Sequence, residues 1–127
     1  MDLLERFIRY VKVYTTSDPE SESVPTTARQ LDLAKILCDD LKEIGIKDAR
    51  ISEHGYVYGS IPASEGYESA PAVGFIAHMD TAPDFAGENV SPQIIPDYDG
   101  KDVPLGSSGR VIRAEMFPHL SDRKSVV

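Results

Sequence analysis

The sequence lacks the features that mark membrane, secreted and disulfide-stabilised proteins. Its single cysteine, Cys38, cannot form a disulfide within the chain. No apolar run approaches the roughly 20 residues that a membrane-spanning helix needs. The opening residues MDLLERFIRY are charged and amphipathic, unlike a secretory signal. We therefore expect a cytoplasmic protein with no membrane partner.

Positive charge is also scarce, because 13 Lys and Arg residues stand against 21 Asp and Glu, for a formal net charge of -8. Such a chain lacks the basic patch that binds nucleic acid, so no nucleic-acid partner is expected. There is no H-E-x-x-H or C-x-x-C motif, no G-x-S-x-G nucleophile turn and no phosphate-binding loop. Ser107-Ser108-Gly109 is typical of a turn, with no base near it in sequence.

Two helices are predicted near the amino terminus of this 127-residue chain, which is long enough for one small domain. A 3.6-residue apolar stripe predicts the first helix within residues 2–14. The second begins at Thr26 or Thr27 as the N-cap, and Gly45 ends it as the C′ residue. Its predicted apolar face, on which Cys38 packs into the core, is Ala28, Leu31, Ala34, Leu37, Cys38, Leu41 and Ile44.

The strand signals follow the helices. Residues 49–61, ARISEHGYVYGSI, predict a hairpin that turns at Glu53-His54-Gly55, with His54 facing solvent. The apolar run 72–77 is typical of a strand buried on both faces. From Thr81 onward the chain is rich in Pro, Gly and Asp, with a short strand expected at 93–95. This order favours an α/β layered sheet with helices packed on it.

His78 and Asp80 form the candidate site. They lie where the predicted buried strand ends, and ligands of open α/β sheets bind beyond the carboxyl ends of strands. Side chains two residues apart on an extended chain share a face, so the carboxylate can orient the imidazole of a metal ligand. H-x-D is nevertheless a weak signal that also arises by chance.

A catalytic zinc ion needs at least three protein ligands, and the residues around His78 do not supply a convincing set. His119 lies too near the end of the chain to interpret. Four downstream aspartates occur in sequence of turn composition and are expected to be solvated loop carboxylates: Asp84, Asp97, Asp99 and Asp102.

Longer stretches of the sequence resemble a known family, which the spacing of His78 and Asp80 alone does not indicate. GFIAHMDTAPDFAGENVSPQII resembles the first metal-binding segment of the zinc metallopeptidase family M20. LLERFIRYVKVYTTSDPESESVPTT, EHGYVYGSIPA, DYDGKDVPLG and MFPHL follow the layout of the same family. The resemblance runs from Met1 to about Ser121. AHMDTAPDF is closer to the aminopeptidase branch than to the carboxypeptidase or deacetylase branches.

The resemblance implies a fold and an activity. Residues 1–121 would be the N-terminal portion of an incomplete zinc-exopeptidase α/β domain, a mixed sheet flanked by helices. The complete enzyme would release the N-terminal residue of tripeptides with two zinc ions bridged by a water or hydroxide. His78 would be a ligand of one zinc ion, and Asp80 the catalytic carboxylate that orients the site.

The resemblance also implies missing parts. The bridging aspartate, the Glu-Glu pair with the general base, the remaining ligands and a dimerisation domain of the family are not in this sequence. We therefore expect the chain alone to be inactive, with at most a partial metal site, and a homodimer only for the full-length protein. Two alternatives stay open: a fragment of a related M20 dipeptidase or amidohydrolase, and a non-catalytic remnant or binding module.

The last residues, DRKSVV at 122–127, match the translation of a common sequencing adapter followed by a stop. We expect this stretch to be a non-native tail. A central strand without neighbours would expose sheet edges and apolar faces, so the chain is also expected to aggregate or to be partly unfolded.

Overall fold

The computed structural model describes residues 1–122, with side chains only as far as Leu120. The chain divides into two compact units, Met1–Val90 and a second that begins at Ser91. In the described part of the chain, no helix is long and apolar enough to cross a membrane. The first unit holds α1 (Leu3–Val11), α2 (Gln30–Glu43), β1 (Arg50–Ile51) and β2 (Val57–Tyr58). The second holds β3 (Val103–Pro104), β4 (Val111–Ile112) and two 3-10 turns, Ala114–Met116 and Pro118–Asp122.

Helix α1 forms where the apolar stripe predicts it. Asp2 and Glu5 make a reciprocal cap at its start: the Glu5 amide donates to the Asp2 carboxylate at 2.8 Å, and the Asp2 amide donates to the Glu5 carboxylate at 3.0 Å. This arrangement satisfies two amides that would otherwise lack partners. The stripe itself is only partly covered, since Leu3 remains 85% exposed.

Helix α2 begins later than predicted, and the predicted N-cap at Thr26 or Thr27 is wrong. The Thr27 hydroxyl donates to the Thr16 carbonyl at 2.9 Å and accepts from the side-chain amide of Gln30 at 3.2 Å. Arg29 occupies the cap position without a side-chain hydrogen bond. The predicted end is confirmed, because Gly45 has a φ of 101°, the left-handed conformation that glycine adopts readily. Cys38 is buried on this helix, as predicted.

A buried carboxylate joins the two helices. Asp40 of α2 is 4% exposed, and it accepts hydrogen bonds from Arg9 at 2.8 Å and from the Tyr10 hydroxyl at 2.6 Å. The Arg6 Nε atom lies 3.8 Å from the same carboxylate. Because charged and polar partners surround it, Asp40 is the polar centre of the α1–α2 interface.

The hairpin at 49–61 is confirmed. β1 and β2 are antiparallel, with Arg50 opposite Tyr58 and Ile51 opposite Val57, and both contact α2. The turn places the His54 side chain in solvent, 57% exposed, as predicted.

The predicted buried strand at 72–77 is wrong. The segment has no strand assignment, and Phe75 and Ile76 are 95% and 101% exposed. A strand needs a neighbour for its backbone groups, and no described strand pairs with this segment. The nearest ladder contact is a single parallel bridge between Thr16 and Thr81, downstream of the apolar residues.

The strand expected at 93–95 is reduced to a single bridge residue, Ile95. Gln93 uses its side chain rather than its backbone: its amide donates to the Pro104 carbonyl at 3.2 Å, and its carbonyl accepts from the Gly106 amide at 3.1 Å. Those contacts support the β3–β4 hairpin, which the sequence did not predict. Ser107-Ser108-Gly109 lies in the turn of that hairpin, as expected.

A mixture of helices and strands is therefore present, as expected for an α/β chain. In the described residues the strands form two separate two-stranded ladders in place of one layered sheet. The M20-type sandwich over 1–121 stays a prediction. Apart from the backbone of Asp122, the expected tail at 122–127 lies outside the described residues.

Candidate functional site

His78 and Asp80 follow the extended segment 72–77 and line an open groove in the first unit. The groove has a volume of about 1100 Å³ and is also lined by Tyr10, Asp40 and Tyr58. The candidate pair is therefore accessible to a ligand from solvent.

The structure brings the two side chains together, as their spacing on an extended chain predicts. The His78 Nδ1 atom lies 2.9 Å from the Asp80 carbonyl oxygen and 3.3 Å from an Asp80 carboxylate oxygen. The His78 side chain is 84% exposed and that of Asp80 is 39% exposed. Both oxygens can only accept, so Nδ1 carries the proton that is shared with Asp80.

This tautomer suits one role in metal binding. With Nδ1 protonated, Nε2 of the neutral ring carries the free lone pair, which is the atom a zinc ion would bind. Metal-binding histidines usually donate their other ring N–H to a carboxylate or a backbone carbonyl. The pair fits one zinc ligand with its orienting partner, and the role of each residue stays a prediction.

The pair does not make a complete metal site. Among the side chains that the structure describes, as far as Leu120, no group of three or more His, Cys, Asp or Glu residues is placed to hold a metal ion. A stable zinc site needs at least three protein ligands. The described residues therefore supply at most part of such a site.

The other candidates are each described in the unit to which they belong. Asp84 is exposed in the loop that follows it. In the second unit, Asp99 pairs with Lys101 at 2.7 Å and Asp102 pairs with Arg113 at 3.2 Å. The hydrogen bond from Lys101 lowers the pKa of Asp99. His119 packs its ring edge-on against Phe117, with the ring centroids 6.2 Å apart.

Sequence reasoning missed the residues that hold the segment after Asp80. The Thr16 and Thr81 hydroxyls lie 3.0 Å apart, and Thr15 and Thr16 are 2% and 8% exposed. Thr16 and Thr81 are 65 positions apart, so no local pattern could have paired them. The threonine run before the first loop was the only available signal.

Known proteins with similar sequences were found for this chain. No protein-family model matches it. It is 49% identical over 121 residues to a protein named peptidase T from Desulfitobacterium hafniense strain Y51, covering 94% of this chain and 29% of that protein. A peptidase T from Geobacillus thermodenitrificans is 48% identical over 124 residues, covering 97% and 30%. One from Aliivibrio fischeri is 48% identical over 119 residues, covering 94% and 29%.

The coverage is strongly asymmetric. Nearly all of this chain is matched, yet it spans only 29% to 30% of the length of these curated relatives. This chain therefore corresponds to less than a third of the length of these relatives.

Proposed function

We propose that this chain belongs to the peptidase T family and is part of a metallo-aminopeptidase that releases the N-terminal residue of tripeptides. The observation that carries the proposal is the match of 47% to 49% identity over 94% to 97% of the chain to proteins with that name. The proposed substrate is a small peptide, and the proposed location is the cytoplasm.

His78 and Asp80 have the central roles in this proposal. His78 would bind one of two zinc ions through Nε2, and Asp80 would hold the imidazole through Nδ1, at 2.9 Å and 3.3 Å. Zinc ions in such a site would lower the pKa of a bound water and polarise the scissile carbonyl. By accepting the hydrogen bond from Nδ1–H, Asp80 would fix the direction of the ring and leave the Nε2 lone pair for the metal ion.

The chain by itself is proposed to be inactive. One imidazole and one carboxylate cannot hold two metal ions, and the described side chains contain no three-ligand group. The other ligands and the general base would have to come from outside the described residues. The homodimer of the complete protein is part of the same proposal.

A second candidate is a non-catalytic module that binds at most one metal ion weakly. The absence of a three-ligand group among the described residues favours it for this chain alone. The two candidates differ in what lies downstream in the gene, which the experiment below addresses.

Zinc titration of the 127-residue chain by calorimetry tests the metal role of His78. We expect weak binding that His78→Ala abolishes and Asp80→Asn weakens by about 10- to 100-fold, the usual effect of losing an orienting partner. His54→Ala is the matched control, because it removes another exposed imidazole, one that lies in the hairpin turn. Equal zinc binding by the His78→Ala variant and the wild-type chain would refute the role.

Reading the source DNA past the codon for Ser121 tests the enzymatic part. We expect the reading frame to continue, and the longer product to hydrolyse tripeptides until His78 is changed to Ala. A stop after Val127 in an independent clone would favour the non-catalytic module.

A further inference from the structure

We propose that Thr16, Thr81 and Gly87 form a clamp that positions His78 and Asp80. The contacts of the clamp are observed without a metal ion. Only the idea that they prepare His78 for metal binding rests on the proposed function. The three residues come from two stretches that are distant in sequence, and they meet directly downstream of the candidate ligand pair.

The first part of the clamp is a set of hydrogen bonds around Thr81. Its hydroxyl lies 3.0 Å from the Thr16 hydroxyl. Its carbonyl accepts from the Ser17 amide at 3.0 Å and from the Ser17 hydroxyl at 3.1 Å. Its amide points to the Thr15 carbonyl at 3.4 Å. Every polar group of Thr81 is therefore held by residues 15–17.

The second part is Gly87, which allows the chain to approach both hydroxyls. A Cβ atom at this position would lie 2.6 Å from the Thr16 hydroxyl oxygen and 2.9 Å from that of Thr81. Real Cβ atoms do not come so close to another heavy atom, so any larger residue would push the hydroxyls apart. Gly87 is needed here for space.

The clamp acts on His78 through one peptide unit. The carbonyl of Asp80 and the amide of Thr81 belong to the same planar group. The amide is anchored to Thr15, and the carbonyl accepts from His78 Nδ1 at 2.9 Å. Because Thr15 holds the Thr81 amide, the Asp80 carbonyl on the same peptide plane keeps its direction toward His78 Nδ1. An acceptor fixed at Nδ1 favours the tautomer that is protonated there.

The anchor is itself rigidly supported. Thr15 and Thr16 are almost fully buried, and the Thr16 carbonyl accepts from the Thr27 hydroxyl at 2.9 Å. Thr27 lies in the turn that leads into α2, so the clamp connects the exposed candidate pair to a helix of the same unit. We infer that Thr16, Thr81 and Gly87 are positioning residues, which act through Asp80.

The test is the tautomer of His78 in the full 127-residue chain, measured by long-range proton–nitrogen NMR of the imidazoles at low protein concentration. We expect the wild-type chain to show the Nδ1-protonated form. Thr81→Val and Gly87→Ala should shift His78 toward the Nε2-protonated form, which free imidazoles favour. Thr16→Val should have the same effect, and Thr16→Ser should restore the wild-type pattern.

Two controls separate positioning from loss of structure. Gly74→Ala adds the same methyl group where no atom lies within 4 Å, and it should leave His78 unchanged. His54, in the hairpin turn, reports on folding in the same spectrum. If Gly87→Ala unfolds the chain, then Thr81→Val, at an exposed residue, decides.

A folded Thr81→Val variant with the wild-type His78 pattern would overturn the clamp. This readout requires neither zinc nor peptide. A chain that binds no zinc would count against the proposed function while leaving the clamp intact.

Discussion

At the scale of single residues, Asp40 is a buried charge at the contact between α1 and α2. It is 4% exposed and holds one negative charge between Arg9 and Tyr10. Burial alone would raise the pKa of Asp40, but the hydrogen bonds from Tyr10 and Arg9, with the charges of Arg9 and Arg6, hold it below its usual value. The carboxylate is therefore ionised, and its partners depend on that charge.

Replacing Asp40 by Asn should lower the free energy of unfolding by about 1–3 kcal/mol, the cost of weakening hydrogen bonds to a buried charged group. Urea unfolding followed by circular dichroism measures the change. Asp39→Asn is the control, because it alters an exposed carboxylate on the same helix. If both variants lost the same stability, the buried contacts would not be the cause.

At the scale of elements, the segment 72–77 is the clearest departure from expectation. Its apolar run is typical of a buried strand, yet Phe75 and Ile76 are almost fully exposed. Burial of these apolar side chains would be favourable, but it requires a neighbouring strand that pairs with the segment. Exposed contiguous apolar surface of this kind promotes association.

Changing Ile76 to Lys should reduce self-association without lowering the free energy of unfolding, because the side chain is 101% exposed. Sedimentation over a range of protein concentrations measures the first effect, and urea unfolding measures the second. Leu33→Ala serves as contrast: at 7% exposure it should cost about 2–5 kcal/mol. A large loss of stability in Ile76→Lys would show instead that the segment packs in a core.

At the scale of the whole molecule, titration of the α1–α2 interface makes stability depend on pH in two directions. Asp40 has a lowered pKa in the folded chain, so its contribution is present above the ordinary aspartate value and is lost as the pH falls through the folded value. Burial, the hydrogen bond to Asp40 and its charge raise the pKa of Tyr10 to about 12. Its contribution is present below the ordinary tyrosine value of about 10, and it is lost as the pH rises toward about 12.

We expect the unfolding free energy to fall below about pH 4 and again above about pH 10. Tyr10→Phe should flatten the alkaline fall, and Asp40→Asn should flatten the acid one. Urea unfolding at a series of pH values measures the fall in unfolding free energy at acid pH and at alkaline pH. An alkaline limb that is unchanged in Tyr10→Phe would disprove the assignment to this hydroxyl.

The sequence alone determined the features that depend on residues a few positions apart. The helix at α1 follows from its apolar stripe. The hairpin follows from its turn residues, and the meeting of His78 with Asp80 follows from their spacing. Hydrogen bonds between near neighbours and the periodicity of side chains along a helix or strand determine these features. The relation to peptidase T was also readable in the sequence of residues 74–85 and their neighbours.

Only the tertiary structure decided which distant residues meet. Arg9 reaches Asp40 across 31 positions, and Thr16 reaches Thr81 across 65. The Thr27 hydroxyl donates to the Thr16 carbonyl across 11 positions, and α2 starts at Gln30, after the predicted cap. Segment 72–77 has an apolar pattern and still lies exposed. The chemistry of a side chain determines which kind of partner it can contact. The path of the whole chain determines whether such a partner lies near it.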